Sequence, residues 1–129
     1  MMFDPAEELD TLKKNLGHIS YEDQRVLVTG GAGFLGSWIC DTLLAGGARV
    51  TCVDNFASGK KENIRHMMDH ERFRFIYHDI STPLSVETRL DYVFHMASRA
   101  SPFEFEHYPI QILKENTTGI LVALVIAKK

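Results

Sequence analysis

Thr29 to Gly36 reads TGGAGFLG, and this stretch leaves the chain few possible architectures. Glycines at 30, 33 and 36 give the spacing GxxGxxG. Immediately before them stands Arg25-Val26-Leu27-Val28-Thr29, a β-branched run of the kind buried in a parallel sheet. Immediately after comes Phe34 to Ala45, an apolar stretch closed by Gly46-Gly47, which predicts a helix. A strand that passes into a helix through spaced glycines is the first unit of a dinucleotide-binding fold. Gly30 permits the tight turn, Gly33 lets backbone approach a pyrophosphate, and Gly36 lets the helix pack close. The helix N-terminus then offers unpaired N–H groups and a partial positive charge to the phosphates.

The next strand extends from Arg49 to Val53 and ends at Asp54, 18 residues after Gly36. A carboxylate about 20 residues past the glycines accepts hydrogen bonds from the adenosine ribose and repels a 2′-phosphate. NAD is therefore expected over NADP. Asn55 to Gly59 reads as a loop, Lys60 to Met68 as a helix, and Phe73 to Tyr77 as a third strand. Ser81 to Leu90 is irregular, because Pro83 bars a strand interior. Tyr92 to Met96 is the fourth strand. Pro102 and Pro109 bracket a loop, and a helix is expected from Tyr108 to the last residue. Its apolar side is taken as Ile112, Leu113, Ile120, Leu121, Leu124 and Val125. Residues 4–16 form a separate short helix with Leu9, Leu12 and Leu16 at helical spacing. Strands alternating with helices imply a parallel α/β sheet with right-handed crossovers.

Bulk features narrow the function classes. A chain of 129 residues with 45% hydrophobic content suits one globular core rather than a disordered tail. A net charge of -3 argues against nucleic acid as partner. The acidic start MMFDPAEELD lacks a signal peptide's apolar core, and the longest apolar run, Ile120 to Ala127, falls short of the ~20 residues of a membrane span. Cys40 and Cys52 form no CxxC pair and read as buried thiols in a reducing compartment. A soluble cytoplasmic protein without a membrane partner is expected.

Five segments in order make the chain resemble the extended short-chain dehydrogenase/reductase family. Within it the likeness is to the sugar-nucleotide epimerases, dehydratases and decarboxylases, and most to UDP-glucuronate decarboxylase-like enzymes. The segments are VLVTGGAGFLGS at Val26–Ser37, then Val53-Asp54-Asn55-Phe56 with Ser58-Gly59, then His78-Asp79-Ile80. They continue with Phe94-His95-Met96-Ala97-Ser98 through Pro102, and with Pro109-Ile110, Lys114, Asn116 and Gly119.

The resemblance implies a Rossmann-type doubly wound sheet with strand order 3-2-1-4. It implies NAD contacts from Gly30, Gly33, Phe34, Leu35 and Gly36. Further contacts are implied from Asp54, Asn55, Phe56, Ser58, Gly59, Asp79 and Ile80, and from Met96, Ala97, Ser98 and Glu115. Leu84 and Lys114 would face a nucleotide-sugar substrate, and the complete enzyme would be a homodimer. Its chemistry would begin with oxidation at the sugar C4, giving a 4-keto intermediate. From there UDP-glucuronate loses CO₂, while a 4-epimerase or a 4,6-dehydratase continues differently.

By position alone, Asp79 could equally be a turn or cap residue. Arg99 stands where the family often has Pro, and it could reach a phosphate or lie in a solvated loop. Lys114 and Asn116, two apart, cannot share a helix face. His95 is expected to pack rather than catalyse. Lys60-Lys61 read as a charged helix start. His66 and His70 sit four apart but lack an HExxH pattern, so no metal is expected.

The family's catalytic Tyr-x-x-x-Lys is missing. Tyr21, Tyr77, Tyr92 and Tyr108 are followed four residues on by Arg25, Ser81, Met96 and Ile112. No catalytic residue is assigned. The expected organisation is an N-terminal helical extension at 1–24 and an NAD-binding Rossmann domain at 25–129, truncated before the catalytic segment. The chain alone would then be inactive. The alternative from another class is a non-catalytic NAD-binding module.

Overall fold

The structure is a computed structural model that describes residues 4–17 and 19–128. The first helix, α1 (Pro5–Asn15), starts because Asp4 accepts a hydrogen bond from the Ala6 N–H and Pro5 takes the first turn. Glu7 and Glu8 at its start and Lys13 and Lys14 at its end match the helix dipole. It lies against α2 (Phe34–Ala45), which follows β1 (Arg25–Thr29). The remaining strands are β2 (Arg49–Asp54), β3 (Phe73–Tyr77) and β4 (Tyr92–His95). Two further helices, α3 (Pro102–His107) and α4 (Pro109–Ala127), complete the described chain. The expected end of the last helix, Lys129, lies outside the described residues.

All strands are parallel, in the order β3-β2-β1-β4. This is the parallel sheet that the strand–helix alternation predicts, in the Rossmann order that the family resemblance implies. Central β1 is buried from Val26 to Thr29 on both faces, as helix-covered parallel strands are. Val26 and Val28 pack with Cys40, Leu43, Val50, Cys52 and Ile64 under α2. Leu27 and Val53 face the other way, onto Ile126 of α4. Full burial of one such aliphatic side chain contributes about 2 kcal/mol.

Three local expectations are corrected. Lys60 to Met68 is not an α-helix but two 3₁₀ turns, Lys61–Asn63 and Arg65–Met67, with Ile64 between them. The Ala32 carbonyl accepts from both the Lys60 N–H (3.0 Å) and the Asn63 side-chain amide (2.8 Å). This double tie to the glycine turn draws the segment tighter than an α-helix, and Ile64 and Met67 share its buried side at three-residue spacing.

The second correction is Pro102 to His107, which is helical rather than a loop. Ser101 accepts from the Glu104 N–H at 3.3 Å and donates its hydroxyl hydrogen to the Glu104 carboxylate at 2.8 Å. Proline at the first helical position promotes such a start.

The third correction is the face of α4. Its buried residues are Ile112, Glu115, Gly119, Ala123 and Ile126. Of the six apolar residues grouped as its apolar side only Ile112 is buried, while Leu113, Ile120, Leu121, Leu124 and Val125 point outward. The sheet selects the side with small residues: a Cβ on Gly119 would lie 3.3 Å from Ile80 and 3.5 Å from the His95 ring. By length and composition α4 could cross a membrane.

Two glycines set the turn. Gly30 has φ +66°, and a Cβ there would sit 2.7 Å from the Ala97 backbone. A Cβ on Gly36 would overlap the Gly30 carbonyl oxygen. Behind the turn, a Cβ on Gly31 would lie 2.5 Å from the Cys52 sulfur and 3.1 Å from that of Cys40. Both cysteines are free and buried. The Cys40 thiol is pushed up in pKa by its hydrogen bond with Cys52 and by burial, so it stays protonated. Gly36→Ala is expected to cost roughly 1–3 kcal/mol through this overlap, read as a lowered urea midpoint at an unchanged slope.

Candidate functional site: a cleft at the carboxyl ends of the strands

The C-terminal ends of all four strands open on one cleft enclosing about 520 Å³, its mouth included. Gly30 and Gly33 of the turn line it, with Asp54, Asn55, Ser58 and Gly59 after β2. Asp79 and Ile80 after β3, and Met96, Ala97 and Ser98 after β4, form the other walls. Glu115 reaches in from α4. Ala57, which sequence reasoning did not single out, also borders the space, as do Val53 and His78 of the resembling segments and Arg99, whose place was left open between a phosphate contact and a solvated loop.

Other residues singled out from the sequence lie elsewhere. Phe34 and Leu35 are exposed on the first turn of α2, and Gly36 is buried against Gly30. Phe56 turns away and stacks on Phe75 at 5.1 Å between ring centres. Leu84 packs beside Leu27, Val53 and Ile126. Lys114 is exposed on α4, while Asn116 donates to the Ile112 carbonyl at 2.9 Å.

Asp54 organises the β2 side. One carboxylate oxygen accepts from the Ala32 N–H at 3.0 Å and the other from the Phe56 N–H at 2.7 Å. The second bond holds Phe56 at φ +56°, a left-handed conformation costing roughly 1–2 kcal/mol for a residue with a Cβ. Each carboxylate oxygen keeps a lone pair for another donor.

Across the cleft, burial pushes the Asp79 carboxyl up. Hydrogen bonds from the Ser81 hydroxyl (2.7 Å) and N–H (2.9 Å), with the charges of His78 and Arg99, outweigh this and hold it below its ordinary value. Asp79 is thus ionised at neutral pH. At the turn, Gly33 caps α2 without a side-chain hydrogen bond and no acidic residue occupies the first turn. The backbone N–H groups there remain available to an anion.

Arg99 is not a solvated loop residue. Its side chain is 13% exposed, its Nε lies 3.2 Å from the Glu115 carboxylate, itself 8% exposed, and its guanidinium covers the Tyr108 ring at 4.9 Å. His66 pairs with Asp41 at 2.7 Å, and His70 accepts from the Arg72 N–H at 3.1 Å, so the two are separately engaged.

His95 packs between β1 and α4. Thr29 Oγ1 accepts from the Met96 N–H (3.2 Å) and the Ala97 N–H (3.3 Å), so its one hydrogen goes to His95 Nδ1 at 2.8 Å. The ring proton therefore sits on Nε2, a buried atom without a hydrogen bond of good geometry. Burial lowers the His95 pKa, and the Glu115 backbone carbonyl only partly offsets this.

Residues 26–129 match the family model described as the NAD dependent epimerase/dehydratase family. The chain belongs to that family. It is 47% identical over 106 residues to UDP-glucuronic acid decarboxylase 1 of Danio rerio, covering 82% of this chain and 25% of the relative. UDP-glucuronic acid decarboxylase 1 of Arabidopsis thaliana is 41% identical over 105 residues, covering 81% and 24%. Among solved structures, an epimerase from Methanothermobacter thermautotrophicus superposes with a TM-score of 0.71 at 32% identity, over 97% of this chain and 36% of that one. A Thermus thermophilus UDP-glucose 4-epimerase in complex with NAD has a TM-score of 0.61 at 32% identity, over 81% and 34%. The chain thus spans about a quarter of the length of the decarboxylases it matches.

The half-buried His95 gives the fold an acid-side dependence. Its folded pKa lies below the unfolded value of about 6.5, so the unfolded chain binds the extra proton first. The contribution is complete above about pH 6.5 and is lost as pH falls toward the folded pKa. Thermal melts between about pH 7 and about pH 5.5 should show Tm dropping, and His95→Gln should flatten that drop.

Proposed function

We propose that this chain is the NAD-gripping portion of a nucleotide-sugar-modifying enzyme of the UDP-glucuronate decarboxylase kind. The observation that carries the reading is the uncapped N-terminus of α2 above the glycine turn, with the Asp54 carboxylate at the end of the next strand. These residues fit the cofactor. The first-turn N–H groups from Phe34 to Gly36, with the Gly33 backbone, would take the pyrophosphate. Asp54, with Asn55, Ser58 and Gly59 around it, would hold the adenosine ribose. Asp79 and Ile80 would hold the adenine. Met96, Ala97 and Ser98 would border the nicotinamide side, with the Glu115 carboxylate turned to Arg99, and Lys114 would border the sugar nucleotide.

When bound, NAD supplies reversible hydride exchange with a sugar carbon. The residues of this chain bind and orient it. The acid–base pair of the family, Tyr-x-x-x-Lys, does not occur in the 129 residues, so turnover would need groups beyond them. Decarboxylation is favoured over 4-epimerisation because the decarboxylases match at up to 47% identity, against 34% or less for the solved 4-epimerases. The outward apolar residues of α4, such as Leu121 and Leu124, support a homodimer in the complete enzyme. NAD use and two free buried thiols are consistent with the cytoplasm.

Titrating the chain with NAD and NADP tests the cofactor reading. NAD should bind more tightly by about tenfold or more, and Asp54→Ala should narrow that gap, since the repelling carboxylate is gone. Tighter NADP binding by the wild-type chain would refute the role of Asp54. Incubated with UDP-glucuronate and NAD, the 129-residue chain should release no CO₂; measurable release would place the acid–base chemistry within these residues after all.

A further inference from the structure

The cleft has an unusual charge balance for a site that takes an anion. Three carboxylates border it, those of Asp54, Asp79 and Glu115. Among the described residues, Arg99 is the one lysine or arginine on its wall. Glu115 is the most awkward of the three. Asp54 and Asp79 each accept backbone N–H bonds, whereas Glu115 is 8% exposed and its described polar partner is the Arg99 guanidinium. A buried carboxylate without a partner is costly, and a dinucleotide brings further negative charge into the same low-dielectric space.

We propose that Arg99 is a charge-compensating residue for the cofactor cleft: paired with Glu115 and seated on Tyr108, it cancels the Glu115 charge so that an anionic dinucleotide is admitted. The proposal rests on the NAD reading above. It makes Arg99 a positioning and electrostatic residue, acting through Glu115. A simple tether fastening the loop after β4 to α4 would use the same contact but would behave differently on substitution.

Isothermal titration of NAD should be run on wild type, Arg99→Ala, Arg99→Lys, Glu115→Gln and the double variant R99A/E115Q. At about pH 8, Arg99→Ala should weaken binding about tenfold, because Glu115 is then a bare charge near the ligand. R99A/E115Q should bind within about threefold of wild type. Arg99→Lys keeps the charge and should stay near wild type, and Glu115→Gln should bind no more weakly than wild type.

A tether would be cut equally in Arg99→Ala and R99A/E115Q. Equal loss in those two variants, or weaker binding by Glu115→Gln alone, would overturn the proposal. Melting curves identify any variant that does not fold, and Glu115→Gln still decides if Arg99→Ala does not. Failure of wild type to bind NAD would overturn the cofactor reading and this inference together. Binding by wild type with the variants out of this order would overturn the inference alone.

Discussion

The peptide of Ala32 is held from both sides, and the cleft depends on it. Its N–H donates to Asp54, while its carbonyl accepts from the Lys60 backbone and the Asn63 side chain. Ala32 is fully buried, so none of these bonds exchanges easily with water. The glycine turn, the end of β2 and the tight turns after it are thereby joined at one point. The loop from Asn55 to Gly59 is anchored at its two ends by the same node. A flexible loop would lose affinity to ordering on every binding event; here that ordering is already built into the fold.

The opposite wall is organised by charge rather than by backbone geometry. α4 brings Glu115 inward because Gly119 and Ala123 let the helix lie close on the sheet. Close approach buries a carboxylate, and a buried carboxylate demands a cation. Arg99 supplies it from the loop after β4, with the Tyr108 ring beneath. Helix packing and cleft electrostatics are in this sense one problem. A bulkier residue at position 119 would move Glu115 and leave Arg99 without its partner.

What could be read from the chain alone follows the range of the forces involved. The β1 run and the spaced glycines are local, and they led directly to the parallel sheet and to Asp54 at its edge. The double tie on the Ala32 carbonyl is not local: Asn63 lies 31 residues from its partner, so Lys60 to Met68 read as an ordinary helix. Ser101-Pro102-Phe103-Glu104 did carry a local signal, a serine cap with glutamate three residues on, but the two flanking prolines masked it. On α4 the apolar residues surround the helix, and periodicity cannot choose a face. There the sheet decides, by size rather than hydrophobicity. Arg99 was ambiguous because its partner, Glu115, lies 16 residues away on another element.

The packing behind Gly31 has a consequence for how this protein can vary. The sulfur of Cys52 fills the space where a side chain at 31 would begin, and that of Cys40 closes it from α2. Neither thiol meets solvent, and neither could touch a ligand. Yet the thickness of this sulfur layer sets the height of the backbone above it, on which the pyrophosphate would rest. Residues 40 and 52 therefore act as shims under the glycine turn. Substitutions there would tune ligand affinity from within the core, through a change of level rather than a change of contact.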